Sequence, residues 1–165
     1  MSMRLLIVDD HDIIRENIIS FVGKQLDIEV IGEAKDGESA VELARKLSPD
    51  IVLMDISMPK LNGIEAAGNI LRNNAASRII ILSAHSDKHF VVGGFKAGVL
   101  GYVLKTSIVE DLIPALHAVM ANELFMSPQI TDVVIEDYTK QPLKADSVWG
   151  HKNIIDTHNW AFRAS

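Results

Sequence analysis

Five short, dominantly apolar runs, each followed by a stretch with helical spacing, constrain this chain more than any other feature of its sequence. The runs are 5–8, 28–31, 51–54, 79–82 and 99–104. A strand with one wet face alternates apolar and polar residues. Runs as solid as Leu5-Leu6-Ile7-Val8 or Ile79-Ile80-Ile81-Leu82 belong to strands covered on both faces. Between them, apolar residues recur at spacings of three and four: Ile14, Ile18, Phe21 and Val22, then Ala40, Leu43, Ala44 and Leu47, then Ile64, Ala67, Ile70 and Leu71. Val91, Val92 and Phe95 mark a fourth helix, weakened by Gly93-Gly94 at about 1 kcal/mol each against alanine. Ser107 opens a fifth, carrying Ile108, Leu112, Ala115, Leu116 and Val119, with Pro114 predicting a bend or a frayed turn. Strands and helices alternating through short connections predict an α/β fold, with five parallel strands and helices on both faces of the sheet.

The pattern changes after Glu123. Ser127-Pro128 reads as an N-cap followed by proline at the first helical position, with Ile130, Val133, Val134 and Tyr138 as one apolar stripe. Beyond Thr139 the spacing lapses into Lys140-Gln141-Pro142-Leu143-Lys144, a linker-like stretch, and both tryptophans, Trp149 and Trp160, follow with Phe162. These expectations divide the chain into a domain over 1–125 and a linker helix with a short C-terminal tail over 126–165. The three aromatic residues are expected to pack onto the domain or onto a second copy of the chain, which makes a homodimer one candidate assembly.

Composition narrows the function classes. The chain has no cysteine, which excludes disulfide frameworks, thiolate zinc sites and cysteine nucleophiles and suits a reducing compartment. The net charge of -6 argues against a nucleic-acid or anionic-membrane surface over the whole chain. The first apolar run meets carboxylates after four residues, too few for a signal peptide, and no run approaches the roughly 18 apolar residues of a membrane span. A cytoplasmic location without membrane contact is the expectation.

Chemistry concentrates at strand ends. Asp9 and Asp10 follow the first run and Asp55 follows the third. Open parallel sheets place their sites beyond the carboxyl ends of strands, where the strand order reverses; for order 2-1-3-4-5 that point lies between strands one and three. Singly, each aspartate is an ordinary turn or cap residue. Together they crowd one crevice, where each pair repels by several kcal/mol at about 4 Å and an effective dielectric of ~20. A cation or a raised pKa must answer that repulsion. A sparse all-oxygen set with room for water and phosphate favours Mg²⁺. Ser83 and Lys105 follow the fourth and fifth runs, adding a hydroxyl and a fixed cation suited to a tetrahedral dianion.

These residues resemble the receiver domain of two-component response regulators. The resemblance lies in Leu-Ile-Val-Asp-Asp-His ending at His11, in Met-Asp-Ile-Ser-Met-Pro around Asp55 with Gly63 beyond, in Ser83-Ala84, and in Gly-Tyr-Val-Leu-Lys ending at Lys105. It covers about residues 3–122. The stretch 97–105 and Phe125-Met126-Ser127-Pro128 are most similar to the branch that continues into a LuxR-type helix-turn-helix. The resemblance implies a flavodoxin-like fold and a phosphorylation-controlled switch rather than an enzyme with its own output domain. Asp55 would accept a phosphoryl group from a phosphohistidine on a sensor histidine kinase. Asp10, Asp55 and the backbone carbonyl of Ser57 would hold Mg²⁺, with Asp9 acting partly through water. Lys105 and Ser83 would meet the phosphoryl oxygens, Ala84 would leave room for them, and Tyr102 would rotate inward as Ser83 moves. Ser57 and His85 would tune how long the acyl phosphate lasts.

Two alternatives belong beside this reading. Residues 131–165 carry 4 Lys and Arg against 5 Asp and Glu and show no helix-turn-helix pattern, so DNA binding by this chain alone is not expected, and the output partner is unknown. A transcriptional regulator with a truncated or altered output domain is the first alternative. A haloacid dehalogenase-type phosphohydrolase using Asp10 in Asp10-His11-Asp12 is the second; it leaves Asp55 idle and needs an acidic pair where Glu110-Asp111 falls inside a helix.

Overall fold

The computed structural model describes residues 2–58 and 61–140, the last four as backbone only. Strands β1 (Met3–Val8), β2 (Ile28–Ala34), β3 (Ile51–Asp55), β4 (Arg78–Ser83), β5 (Gly101–Leu104) and β6 (Phe125–Met126) alternate with α1 (Asp12–Val22), α2 (Gly37–Leu47), α3 (Gly63–Asn73), α4 (Lys88–Ala97) and α5 (Ile108–Met120). A single 3₁₀ turn, Lys105–Ser107, precedes α5, and α6 (Pro128–Lys140) follows β6. The strands are parallel in the order β2-β1-β3-β4-β5-β6.

The side-chain period of two divides each buried strand between two cores. Leu6, Val8, Val52, Met54, Ile79, Ile81 and Tyr102 face α2, α3, α4 and Ile130 of α6. Leu5, Ile7, Ile51, Leu53, Ile80, Leu82 and Val103 face Ile18 and Val22 of α1 and Leu112, Leu116 and Val119 of α5. The apolar runs are solid because both of their faces are covered. The same burial carries α5 through Pro114 as continuous helix, so of the bend or frayed turn expected there the frayed turn does not occur. Leu112, Ala115 and Leu116 around the proline are fully buried, and that packing outweighs the backbone bond the ring removes.

The sheet has six strands, which corrects the expectation of five. Phe125 and Met126 lie beside Gly101 and Tyr102, in parallel register. The Phe125 N–H donates to the Leu100 carbonyl at 2.9 Å and the Ser127 N–H to the Tyr102 carbonyl at 3.0 Å. Ser127 is fully buried, and its hydroxyl accepts the Leu104 N–H at 3.1 Å, extending the ladder by one side-chain bond. Its carbonyl meanwhile receives the first N–H groups of α6, from Ile130 and Thr131. Two residues are too few to show any periodicity, so this edge strand leaves no pattern in the sequence. Of the expected α6 stripe, Ile130 is buried and Val134 packs on the same core, while the Tyr138 side chain lies outside the described residues, as do Trp149, Trp160 and Phe162.

Candidate functional site

The carboxyl ends of β1, β3, β4 and β5 bring the strand-end residues to one rim, and the reversal of strand order between β1 and β3 opens the crevice. Asp9, one residue past β1, is fully buried and its N–H donates to the Ala34 carbonyl at 3.1 Å. Asp55 closes β3 at 1% exposure. Asp10 is partly exposed beside them, and one carboxylate oxygen from each of the three, with a ring nitrogen of His11, fits within 4.8 Å.

Gly63 sets how closely the loop after β3 is held. Its N–H donates to the Ile56 carbonyl at 3.0 Å, and a Cβ there would stand 2.3 Å from the Asp55 carbonyl oxygen. Any side chain would push the first turn of α3 away from the aspartate.

Lys105 bridges the two buried carboxylates. Its Nζ lies 3.0 Å from Asp9 Oδ2 and 3.2 Å from Asp55 Oδ1, with the side chain largely covered. The Ser57 N–H also points at Asp55 Oδ1, at 3.4 Å, while the Ser57 side chain is exposed. Burial pushes the Asp55 carboxyl up to about 6, the Asp9 charge adds to that, and Lys105 holds it back. Asp9 Oδ2, Asp10 Oδ1 and Asp55 Oδ2 are buried without a hydrogen bond. Lys105 Nζ stands 3.0 Å from Asp9 Oδ2 and His11 Nδ1 3.1 Å from Asp10 Oδ1, which leaves Asp55 Oδ2 as the buried oxygen without a close partner, a hard donor that fits a small divalent cation.

Ser83 ends β4 one residue past Leu82, the register partner of Asp55. Its hydroxyl accepts the His85 N–H at 2.9 Å. Tyr102 is fully buried on the neighbouring strand, its hydroxyl donating to the His85 carbonyl at 3.2 Å. Burial raises the Tyr102 phenol and the Ser83 hydroxyl works against that, so the two side chains sense each other. Tyr102 therefore stands in the inward position, joined through the β4–α4 loop to Ser83.

Two residues not singled out from the sequence also shape the site. His11 turns its Nδ1 into the acidic crevice, 2.9 Å from Asp9 Oδ1, and that hydrogen bond raises its pKa above the usual imidazole value. Arg15 is buried to 5% exposure and ties the crevice to the sheet: Nη1 donates to the Asp9 carbonyl at 2.8 Å, Nη2 to Asp12 at 2.7 Å and Nε to Glu33 at 2.9 Å. The signals were a histidine directly after the acidic pair and an arginine one helical turn beyond it; which way either side chain points is decided by how α1 docks.

The chain is a doubly wound α/β domain with an acidic crevice where its strand order reverses, and the comparisons with known proteins agree with that architecture. The family model of the response regulator receiver domain matches residues 5–117, and the chain belongs to that family. The nitrate/nitrite response regulator protein NarL of Escherichia coli is 37% identical over 130 residues, 79% of this chain and 60% of that protein. The transcriptional regulatory protein LiaR of Bacillus subtilis is 39% identical over 133 residues, 81% of this chain and 63% of that protein. A crystal structure of a LuxR-family two-component response regulator from Aurantimonas sp. superposes with a TM-score of 0.82 at 36% identity, covering 85% of this chain and all of that one. The domain is thus a receiver of the NarL/LuxR type, a class that serves phosphorylation-controlled signalling. The chain spans about 60% of the length of the curated relatives it matches.

Proposed function

We propose that Asp55 is the phosphoacceptor of this receiver and that the fold reads its modification. The observation that carries the reading is the state of Asp55: buried, at a strand end, with Oδ1 beside Lys105 and Oδ2 without a hydrogen bond. In the transfer, an Asp55 oxygen forms a bond to phosphorus as the phosphorus–nitrogen bond of a kinase phosphohistidine breaks, and the imidazole leaves with the electron pair. Lys105, already 3.2 Å from Asp55, then pairs with the phosphoryl oxygens. Ser83 turns its hydroxyl from the His85 N–H toward them, and Tyr102 holds the displaced loop. Asp9, Asp10, Asp55 and the Ser57 carbonyl are the groups that would hold Mg²⁺, which when bound offsets the negative charge on the phosphoryl oxygens. The chain itself supplies acceptor, cation and hydroxyl, so self-catalysed phosphorylation and dephosphorylation need no further domain.

A sensor histidine kinase is the proposed donor, in the cytoplasm; among the described residues no helix is long and apolar enough to cross a membrane. Residues 1–125 form the proposed receiver and 126–165 the linker helix and tail. A structurally similar protein, RcsB, is solved as two dimers bound to two parallel DNAs; DNA contact by this chain alone is not proposed. The reading is tested with phosphoramidate and Mg²⁺, followed by borohydride trapping and peptide mapping. Reduction at Asp55 is expected; reduction at Asp10 instead would favour a dehalogenase-type use of the first strand end and overturn the assignment.

A further inference from the structure

His11 is about half exposed, at 55% of its side-chain surface, and turns its Nδ1 edge toward the carboxylates. Its Nδ1 is 2.9 Å from Asp9 Oδ1, 3.1 Å from Asp10 Oδ1 and 3.9 Å from Asp55 Oδ2. Donor atoms sharing a small octahedral ion at bonds of about 2.1 Å stand about 3 Å apart when adjacent and about 4.2 Å apart when opposite. The spacings around Nδ1 fall in that range. Asp55 is 1% exposed and its Oδ2 has no hydrogen bond, so the group includes a buried oxygen that no protein donor satisfies.

The backbone holds the residue beside the crevice. The His11 N–H donates to Asp9 Oδ1 at 2.8 Å, its carbonyl receives the Arg15 N–H at 2.9 Å, and its φ of -95° and ψ of 107° place it as the extended residue just ahead of α1. Arg15 in turn holds the Asp9 carbonyl. The imidazole, half exposed, thus keeps its Nδ1 edge on the crevice from a backbone position held at two points.

We infer that His11 is a metal ligand of this receiver, its Nδ1 joining Asp9, Asp10 and Asp55 on the divalent ion and turning the site's preference from Mg²⁺ toward Mn²⁺. Carboxylates alone form a hard, all-oxygen set; an imidazole donor adds affinity for first-row transition ions that Mg²⁺ does not share. The ring binds as neutral imidazole through Nδ1, its other edge toward solvent. The inference rests on the proposed reading of the crevice as a cation site, and adds to it one donor and an ion preference.

Mn²⁺ is the probe, because its unpaired electrons report nitrogen ligation directly. The full chain is loaded with one equivalent of Mn²⁺ and examined by pulsed electron paramagnetic resonance, and Mn²⁺ and Mg²⁺ affinities are titrated for wild type and His11→Asn, with circular dichroism to verify the fold. A ¹⁴N hyperfine coupling is expected in wild type and not in His11→Asn. Mn²⁺ affinity should fall about 10-fold in the variant while Mg²⁺ affinity stays within about 2-fold. Mn²⁺ bound without nitrogen coupling, or Mn²⁺ affinity unchanged or raised in His11→Asn, overturns the inference and leaves the cation site standing. A wild-type chain that binds neither ion overturns both.

Discussion

Asp55 carries an unusual load for one side chain. Its carboxyl titrates at about 6 rather than near 4 because burial and Asp9 outweigh Lys105. Below the unfolded value both states hold the proton and nothing is gained or lost. Between the two values only the folded state keeps it, and above about 6 the folded chain must carry a buried charge. Metal-free protein should therefore lose stability as pH rises from about 4 through about 6, by on the order of 3 kcal/mol. Asp55→Asn should be more stable than wild type at pH 7.5, keep about half of that advantage at pH 5 and lose it only below about pH 4, read from urea midpoints in EDTA. Lys105→Met removes the shared cation and should destabilise the metal-free chain by about 2 kcal/mol or more at pH 7.5, and by less at pH 5, where Asp55 is protonated; equal losses at both pH values would contradict the electrostatic account. Asp9, Asp10, Asp55, Ser83 and Lys105 could be located from the sequence because solid apolar runs mark where strands end. His11 and Arg15 could not, since a side chain's direction after a strand or along a helix depends on tertiary docking.

At the scale of elements, two short segments matter more than their length suggests. Gly63 lets α3 start against the Asp55 carbonyl, so Gly63→Ala should cost about 2 kcal/mol or more by forcing the loop and helix apart. Ser127→Ala leaves the buried Leu104 N–H without its partner and should cost roughly 1–2 kcal/mol, with faster hydrogen exchange at β6. The alternation of strand and helix was legible through α5 because each element repeats its spacing over at least one full period. β6 was not, because its evidence is a pair of ladder bonds and a serine hydroxyl. Ser127 did announce the start of α6, but its hydroxyl serves the sheet rather than the helix. α4 has a glycine pair at 93–94 and sits beside the loop that joins Ser83 to Tyr102. Hydrogen exchange with beryllofluoride and Mg²⁺ should change over residues 86–105; unchanged protection there would place the output face elsewhere.

Across the whole molecule, every strand and helix that builds the crevice lies between Met3 and Met120, and β6 with α6 closes the open edge of the sheet. A chain ending at residue 140 should accordingly take up a phosphoryl group as the full chain does. The most direct measurement of the central claim is intact mass after incubation with acetyl phosphate and Mg²⁺, with EDTA and Asp55→Asn in parallel. Wild type should gain about 80 Da, one phosphoryl group, while the EDTA sample and the variant gain nothing. A wild-type chain that never gains this mass, or an Asp55→Asn chain that gains it equally, would contradict the assignment of Asp55.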